Sequence, residues 1–171
     1  MRGSSPQTRL RAWFLRTFRG RSAADAAWAD EAPVSAGPPR AFDLGELRLN
    51  VTPRGLKSAG INLPSIVYEV RVSRATDPRA WSSSYGFPPR ASSARSAADA
   101  ALDELAEIAT DRDRWWQRVT EGMTEEEAEA MEDSPSVRLD QKAAEWVAPG
   151  LAPWRERRAA TGSWLPPDGT G

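Results

Sequence analysis

Hydrophobic and polar residues alternate in the first half of the chain, which is the pattern of half-buried β-strands. One alternating stretch runs over 47–51 and a second over 66–73, and a third strand is predicted over 81–87. A turn or one-turn helix is expected between Thr52-Pro53 and Gly60, and Asp77-Pro78 indicates another turn. Strands joined in this order favour an antiparallel sheet with one face toward solvent.

The spacing of apolar residues changes to a helical period over 92–109. One stripe is apolar and rich in alanine: Ala98, Ala101, Leu102, Leu105, Ile108 and Ala109. Four acids lie off this stripe: Asp99, Asp103, Glu104 and Glu107. Ser93 or Ser96 is suited to cap the start of the helix.

Capping residues predict where the later helices begin. Asp111 is expected to cap a helix that ends near Gly122. Thr124 and Glu127 form the sequence signature of a capping box, which predicts a short helix over about 125–132. A last long helix is expected to open at Ser134-Pro135 and to close at Pro149-Gly150.

These elements predict an α+β fold in which a small antiparallel sheet of about three strands packs on the 92–109 helix. Two or three further helices follow. Three segments are expected along the chain: a basic amphipathic arm and linker over 1–41, the α+β domain over 42–148, and a Pro/Gly-containing tail over 149–171. The arm and the tail are expected to be flexible, with a short helix at 153–160 in the tail.

Composition excludes several chemistries. The 171 residues contain no cysteine and no histidine, so disulfides, thiol nucleophiles and histidine-based catalysis are ruled out. The chain lacks the spacing of a Walker loop, a dinucleotide-binding G-x-G-x-x-G motif and the G-x-S-x-G nucleophile elbow. No apolar run approaches the length of a membrane span. We therefore expect no cofactor, no metal and no transmembrane segment.

Charge is distributed unevenly along the chain although the formal net charge is only −1. Arginine outnumbers lysine by 21 to 2. The main explanation for this excess of arginine is the codon usage of a GC-rich bacterial or phage genome. Residues 1–98 carry a net charge of +8 and residues 99–171 a net charge of −9. These halves are able to attract each other within one chain, to attract a second copy, or to bind an outside polyanion.

The basic half offers the first candidate binding residues. In the arm, arginines alternate with aromatic residues: Arg9, Arg11, Trp13, Phe14, Arg16 and Arg19. Such a segment suits a groove in a protein, the acidic helices of its own chain, nucleic-acid phosphates or an anionic membrane surface.

The predicted sheet offers a second basic surface. Arg48, Asn50 and Arg71 share the face opposite the helix, and Arg74 lies at a strand end. Trp81 and Tyr85 point the same way as each other. If they face solvent, they complete a surface for stacking single-stranded nucleic acid; if they face inward, they belong to the core.

The acidic half offers one dense cluster. We define the acidic face as Glu125, Glu126, Glu129 and Glu132. It is either a solvated helix surface or a docking surface for a basic partner. The pair Asp111-x-Asp113 is a weaker candidate for a divalent metal, since acids at a helix start also stabilise the helix dipole.

The sequence thus favours a small, soluble, non-catalytic binding protein that acts through charge-complementary contacts with a protein partner or with itself. The alternative is a nucleic-acid-binding protein that uses the arginine-rich N-terminal half. A third hypothesis is a metal-dependent enzyme that uses carboxylates. We expect a cytoplasmic location, in a bacterium or in the host cell of a phage.

Overall fold

A computed structural model describes residues 37–56, 65–86 and 93–168 of the chain. Four strands precede the helices: β1 (Arg40–Leu44), β2 (Leu47–Leu56), β3 (Ser65–Arg74) and β4 (Asp77–Gly86). All neighbouring strands pair antiparallel in the order β1-β2-β3-β4. This confirms the predicted α+β class and the antiparallel sheet.

The sheet contains one strand more than the sequence predicted. β1 has five residues and is an edge strand, and only Leu44 of these is buried. Its short alternation of exposed and buried positions is too brief to stand out in the sequence. Gly45 adopts a φ of +61° in the turn to β2, a conformation that glycine accepts without strain.

The starting residues of one predicted turn and the residues of another belong to strands, while residues 57–60 of the first lie outside the described residues. Thr52 and Pro53 belong to β2, where Pro53 lies opposite Tyr68 of β3. Proline is tolerated there because β1 reaches only to Val51, so β2 is paired on one side from that point onward. Asp77-Pro78 opens β4, and the chain reverses just before it, at residues 75 and 76.

Within the described residues 93–168, five helices and a short 3₁₀ segment follow the sheet: α1 (Ala94–Thr110), α2 (Arg112–Thr120), α3 (Glu125–Glu132), α4 (Pro135–Leu151), the 3₁₀ segment (Ala152–Trp154) and α5 (Arg155–Thr161). The three predicted caps are present, and the helix predicted to open at Ser134-Pro135 is capped as well. Ser93 and Ser96 form a capping box for α1, Asp111 caps α2, Thr124 and Glu127 form the box of α3, and Ser134 caps α4.

The core lies between one face of the sheet and the helices α1, α2 and α4. Leu49, Val51 and Val70 on the strands are fully buried, as are Leu102 and Leu105 of the predicted apolar stripe. Burying one such side chain contributes about 1.5–3 kcal/mol to folding. The hydrophobic pattern therefore sets which sheet face the helices cover.

The helix α4 extends beyond its predicted end at Pro149-Gly150 and reaches Leu151. Gly150 is buried against Leu47 of β2, and an added Cβ would lie 3.0 Å from Leu47 Cγ. The glycine is thus needed for the close approach of helix and sheet and does not end the helix.

The residues after α5 are fastened to α1, although this region was expected to be a flexible tail. Trp164 and Leu165 are buried, and the Trp164 backbone N–H donates to Asp99 Oδ1 at 2.8 Å. Arg95 Nη2 donates to the Leu165 carbonyl oxygen at 2.7 Å.

Asp168 forms ion pairs with Arg40 at 3.2 Å and with Arg95 at 3.4 Å, so basic residues of the N-terminal half do pair with an acid of the C-terminal half.

Candidate interaction surfaces

The acidic face lies on α3 and is exposed to solvent. Its four glutamates are all exposed, and none forms an ion pair with a described basic residue. Glu125, Glu129 and Glu132 stand at positions i, i+4 and i+7 and therefore form one stripe along the helix. The sequence-based prediction of an exposed acidic helix surface is confirmed.

The opposite side of α3 faces the rest of the protein only loosely. Glu127, Ala128 and Met131 are half-buried, and α3 contains no buried side chain. Thr124 Oγ1 accepts from the Glu127 backbone N–H at 3.2 Å, and Glu127 Oε2 accepts from the Thr124 N–H at 3.1 Å. The helix is therefore held by its cap and contributes little to the core.

The acids of α3 repel one another, and some of them lie at the unfavourable end of the helix dipole. Residues 121–133 contain seven acids and no basic residue. Acids in the first turn favour the helix dipole, but Glu129 and Glu132 lie toward the carboxyl end, where the dipole is negative. Like charges spaced four apart cost about 0.2–0.5 kcal/mol per pair in isolated helices. The stability of α3 does not explain why these glutamates are present.

Trp81 and Tyr85 are inside the protein, which excludes the surface for stacking bases. Their side chains are 5% and 4% exposed. Trp81 Nε1 donates to Asp140 Oδ1 at 2.9 Å, and Tyr85 Oη donates to Glu104 Oε2 at 2.7 Å. The aromatic rings are accommodated in the core because buried carboxylates accept from their polar atoms.

Glu104 is the residue that the helical pattern misplaced. It was predicted to lie off the apolar stripe, but it is buried and also accepts from Trp115 Nε1 at 3.3 Å. A signal was available, since Glu104 follows the buried Ala97 by seven residues and therefore shares its side of α1. Asp140, which is also buried, was not identified from the sequence at all.

The outer sheet face carries the predicted arginines, and acidic side chains lie close to most of them. Arg48 and Arg71 are exposed on this face as expected, with Asn50 opposite Arg71. Arg48 lies 3.9 Å from Asp43, and Arg74 at the strand end pairs with Glu46 at 2.6 Å. In the described part of the chain Arg71 has no acidic partner, so it is the cation of this face that remains for a ligand.

A shallow groove of about 460 Å³ lies between the end of α1 and the second half of α4. Its floor consists of Ile108, Ala144 and Ala148, and Arg112 and Arg155 stand at its rim. With its amide oxygen turned inward, Gln141 accepts from Arg112 Nε at 3.2 Å and from Nη2 at 2.9 Å.

The remaining predicted sites are the Asp111-x-Asp113 pair and the basic arm. Asp111 Oδ1 accepts from the Arg114 backbone N–H at 3.2 Å, so this acid acts as a helix cap. No three acidic side chains of the described residues are grouped as metal ligands. The arm residues Arg9, Arg11, Trp13, Phe14, Arg16 and Arg19 lie outside the described residues.

No helix in the described part of the chain combines the length and the apolar character needed to cross a bilayer. Comparison of the chain with models of protein families, with curated proteins and with solved structures finds no match.

Proposed function

We propose that this chain is a non-catalytic binding protein whose acidic face on α3 holds a positively charged segment of a partner protein. One observation carries the proposal: four exposed glutamates, which have no basic partner among the described residues, lie on a helix that buries no side chain. The mutual repulsion of Glu125, Glu129 and Glu132 along the helix, and the position of Glu129 and Glu132 toward its negative end, are unfavourable for the helix itself. A basic partner would supply the missing counter-charges.

The test uses the full chain and a fluorescently labelled hexa-arginine peptide as the probe. We expect the triple variant E125Q/E129Q/E132Q to weaken binding about tenfold, which corresponds to about 1.4 kcal/mol. Binding should weaken with added salt, because exposed charges are screened.

The matched control removes three exposed acids elsewhere on the chain, through D113N/E145Q/E156Q. Both triple variants change the net charge equally, so the control should bind within about twofold of the original protein if the site is local, since distant exposed charges are screened. Equal weakening by the two variants would overturn the proposal, because the peptide would then respond to overall charge alone.

A second candidate function is the binding of nucleic acid on the outer sheet face, and the observation that favours it is the exposed guanidinium of Arg71, which has no acidic partner in the part of the chain that the structure describes. Arg71→Glu should sharply weaken retention on single-stranded DNA while the circular dichroism spectrum stays unchanged. Unchanged retention would remove the sheet face from this hypothesis.

A further inference from the structure

The two edge strands of the sheet differ in their protection against an additional strand. β1 has five residues, follows Pro38-Pro39 and carries Arg40 and Asp43. Short length, proline and charge are the features by which proteins protect sheet edges. β4 has ten residues, and its stretch from 80 to 86 contains neither a charged residue nor a proline.

Among the described residues, the outer edge of β4 also lacks bulky exposed side chains from residue 80 onward that would hold another strand away. Among the described strands, only β3 pairs with β4. Ala80 and Ser82 are exposed, and Ser83 and Ser84 are half-exposed. A further strand needs to approach to about 4.8 Å, and side chains of this size allow that distance.

The helix α4 runs over the sheet from the side of β4 toward β2. The bond from Trp81 to Asp140 fixes the first half of α4 over β4, while Gly150 contacts Leu47 of β2. Leu139 precedes Asp140 and is 55% exposed, and it is the one large hydrophobic side chain exposed among the described residues. The acidic helix α3 leads directly into this end of α4.

We propose that the outer edge of β4 accepts an extended segment of a partner protein as a fifth strand, in which arginine or lysine alternates with apolar residues. The proposal rests on the function proposed for the acidic face. Backbone hydrogen bonds to β4 hold the segment, and its basic side chains meet the glutamates of α3. A second copy fits this edge less well, because it would bring its own acidic α3 toward the first.

The experiment compares two labelled heptapeptides with the sequence Arg-Val-Arg-Val-Arg-Val-Arg, one unmodified and one N-methylated at every backbone amide. Both carry the same charge, but the N-methylated peptide cannot complete a strand ladder. We expect the full chain to bind the unmodified peptide about tenfold more tightly, since several backbone hydrogen bonds are lost on methylation. Amide hydrogen exchange of residues 80–86 should slow when the unmodified peptide is bound.

Two variants locate the site. Ser82→Lys puts a positive charge beside the open edge and should weaken binding of the unmodified peptide about tenfold. Its control, Ala41→Lys, puts the same charge on the opposite edge strand, where the side chain is also exposed, and should leave binding unchanged.

Each outcome decides the proposal. Equal affinity for the two peptides would overturn strand addition while leaving the acidic face as a binding site. Failure of both peptides to bind would overturn both proposals. A dimer in sedimentation equilibrium that protects the amides of 80–86 without peptide would identify a second copy as the occupant and overturn the partner proposed here.

Discussion

The guanidinium of Arg158 and the carboxylate of Asp103 form a two-point ion pair, in which Nε donates to Oδ1 at 2.8 Å and Nη2 to Oδ2 at 2.7 Å. Asp103 Oδ1 also accepts from the indole N–H of Trp164 at 2.8 Å. The hydrogen bonds from Arg158 to Asp103 raise the pKa of Arg158, because the carboxylate stabilises the charged guanidinium. One acid of α1 thus fastens both α5 and the segment that follows it.

Asp103→Ala should lower the free energy of unfolding by about 1–2 kcal/mol, because it removes the acceptor of three hydrogen bonds at a partly exposed site. Urea unfolding followed by circular dichroism measures this change. Arg138→Ala is the control, since its pair with Asp133 is far more exposed and should contribute less than about 0.5 kcal/mol. An equal loss in both variants would contradict the role given to Asp103.

The contact between Asp77 and Arg79 at the start of β4 changes the pKa of the Asp77 carboxyl group. Hydrogen bonds from the Arg79 side chain and backbone lower the pKa of Asp77 below its ordinary value of 3.8. A lowered pKa in the folded state stabilises the protein above the unfolded value, and this stabilisation is lost as pH falls through the folded pKa.

Arg79→Ala should therefore raise the pKa of Asp77 toward 3.8, as measured by a carbon-detected NMR titration of its carboxyl group. Arg74→Ala is the comparison, because Arg74 acts on Asp77 only through its charge and is the weakest of the causes. A larger shift from Arg74→Ala than from Arg79→Ala would contradict this assignment.

Gly150→Ala tests the close approach of α4 to β2. Alanine improves helix propensity by about 1 kcal/mol over glycine. The added Cβ would nevertheless lie 3.0 Å from Leu47 Cγ and 3.1 Å from Cδ1, so Leu47 must shift within a packed core. We expect a net loss of about 1 kcal/mol in the free energy of unfolding, because overpacking outweighs propensity.

Shortening the opposing side chain should reduce that loss. In a double-mutant cycle, Leu47→Val should make the added methyl group of Gly150→Ala less costly by at least about 0.5 kcal/mol. Additive effects of the two substitutions in urea unfolding would show that the two residues are not coupled.

Neutralising the stripe of the acidic face should stabilise the protein. E125Q/E129Q/E132Q relieves repulsion along α3 and the unfavourable interactions of Glu129 and Glu132 with the helix dipole, while it loses the favourable interaction of Glu125 in the first turn. We expect a net gain of about 0.5 kcal/mol in the free energy of unfolding, because the unfavourable interactions are more numerous. Differential scanning calorimetry at low and high salt measures this gain, which should shrink as salt screens the charges. A loss of stability would mean that the glutamates serve the fold, which would remove the argument that they serve a partner.

Local signals account for the parts of the fold that the sequence predicted. The caps at Ser93, Asp111 and Thr124 and the helix start at Ser134 were identified because a cap depends on residues within one turn of the helix. The apolar stripe of α1 and the exposed acidic face on α3 follow from the same short-range periodicity.

Contacts between distant residues account for what the sequence did not reveal. Pro53 resembles a turn residue until the end of β1 is known to leave one side of β2 unpaired. From the sequence, Asp103 is expected to be a solvated helix acid, but the fold places Trp164 and Arg158 beside it. No spacing along the chain encodes a pair that is separated by more than fifty residues.

The ion pair between Arg40 and Asp168 brings the first strand of the sheet and the last described residues to one corner of the domain. Chain that precedes residue 37 and chain that follows residue 168 are consequently attached near the same corner. A bulky fusion at the carboxyl terminus would therefore crowd the start of β1, whereas an insertion at the Gly122 turn would leave that corner clear.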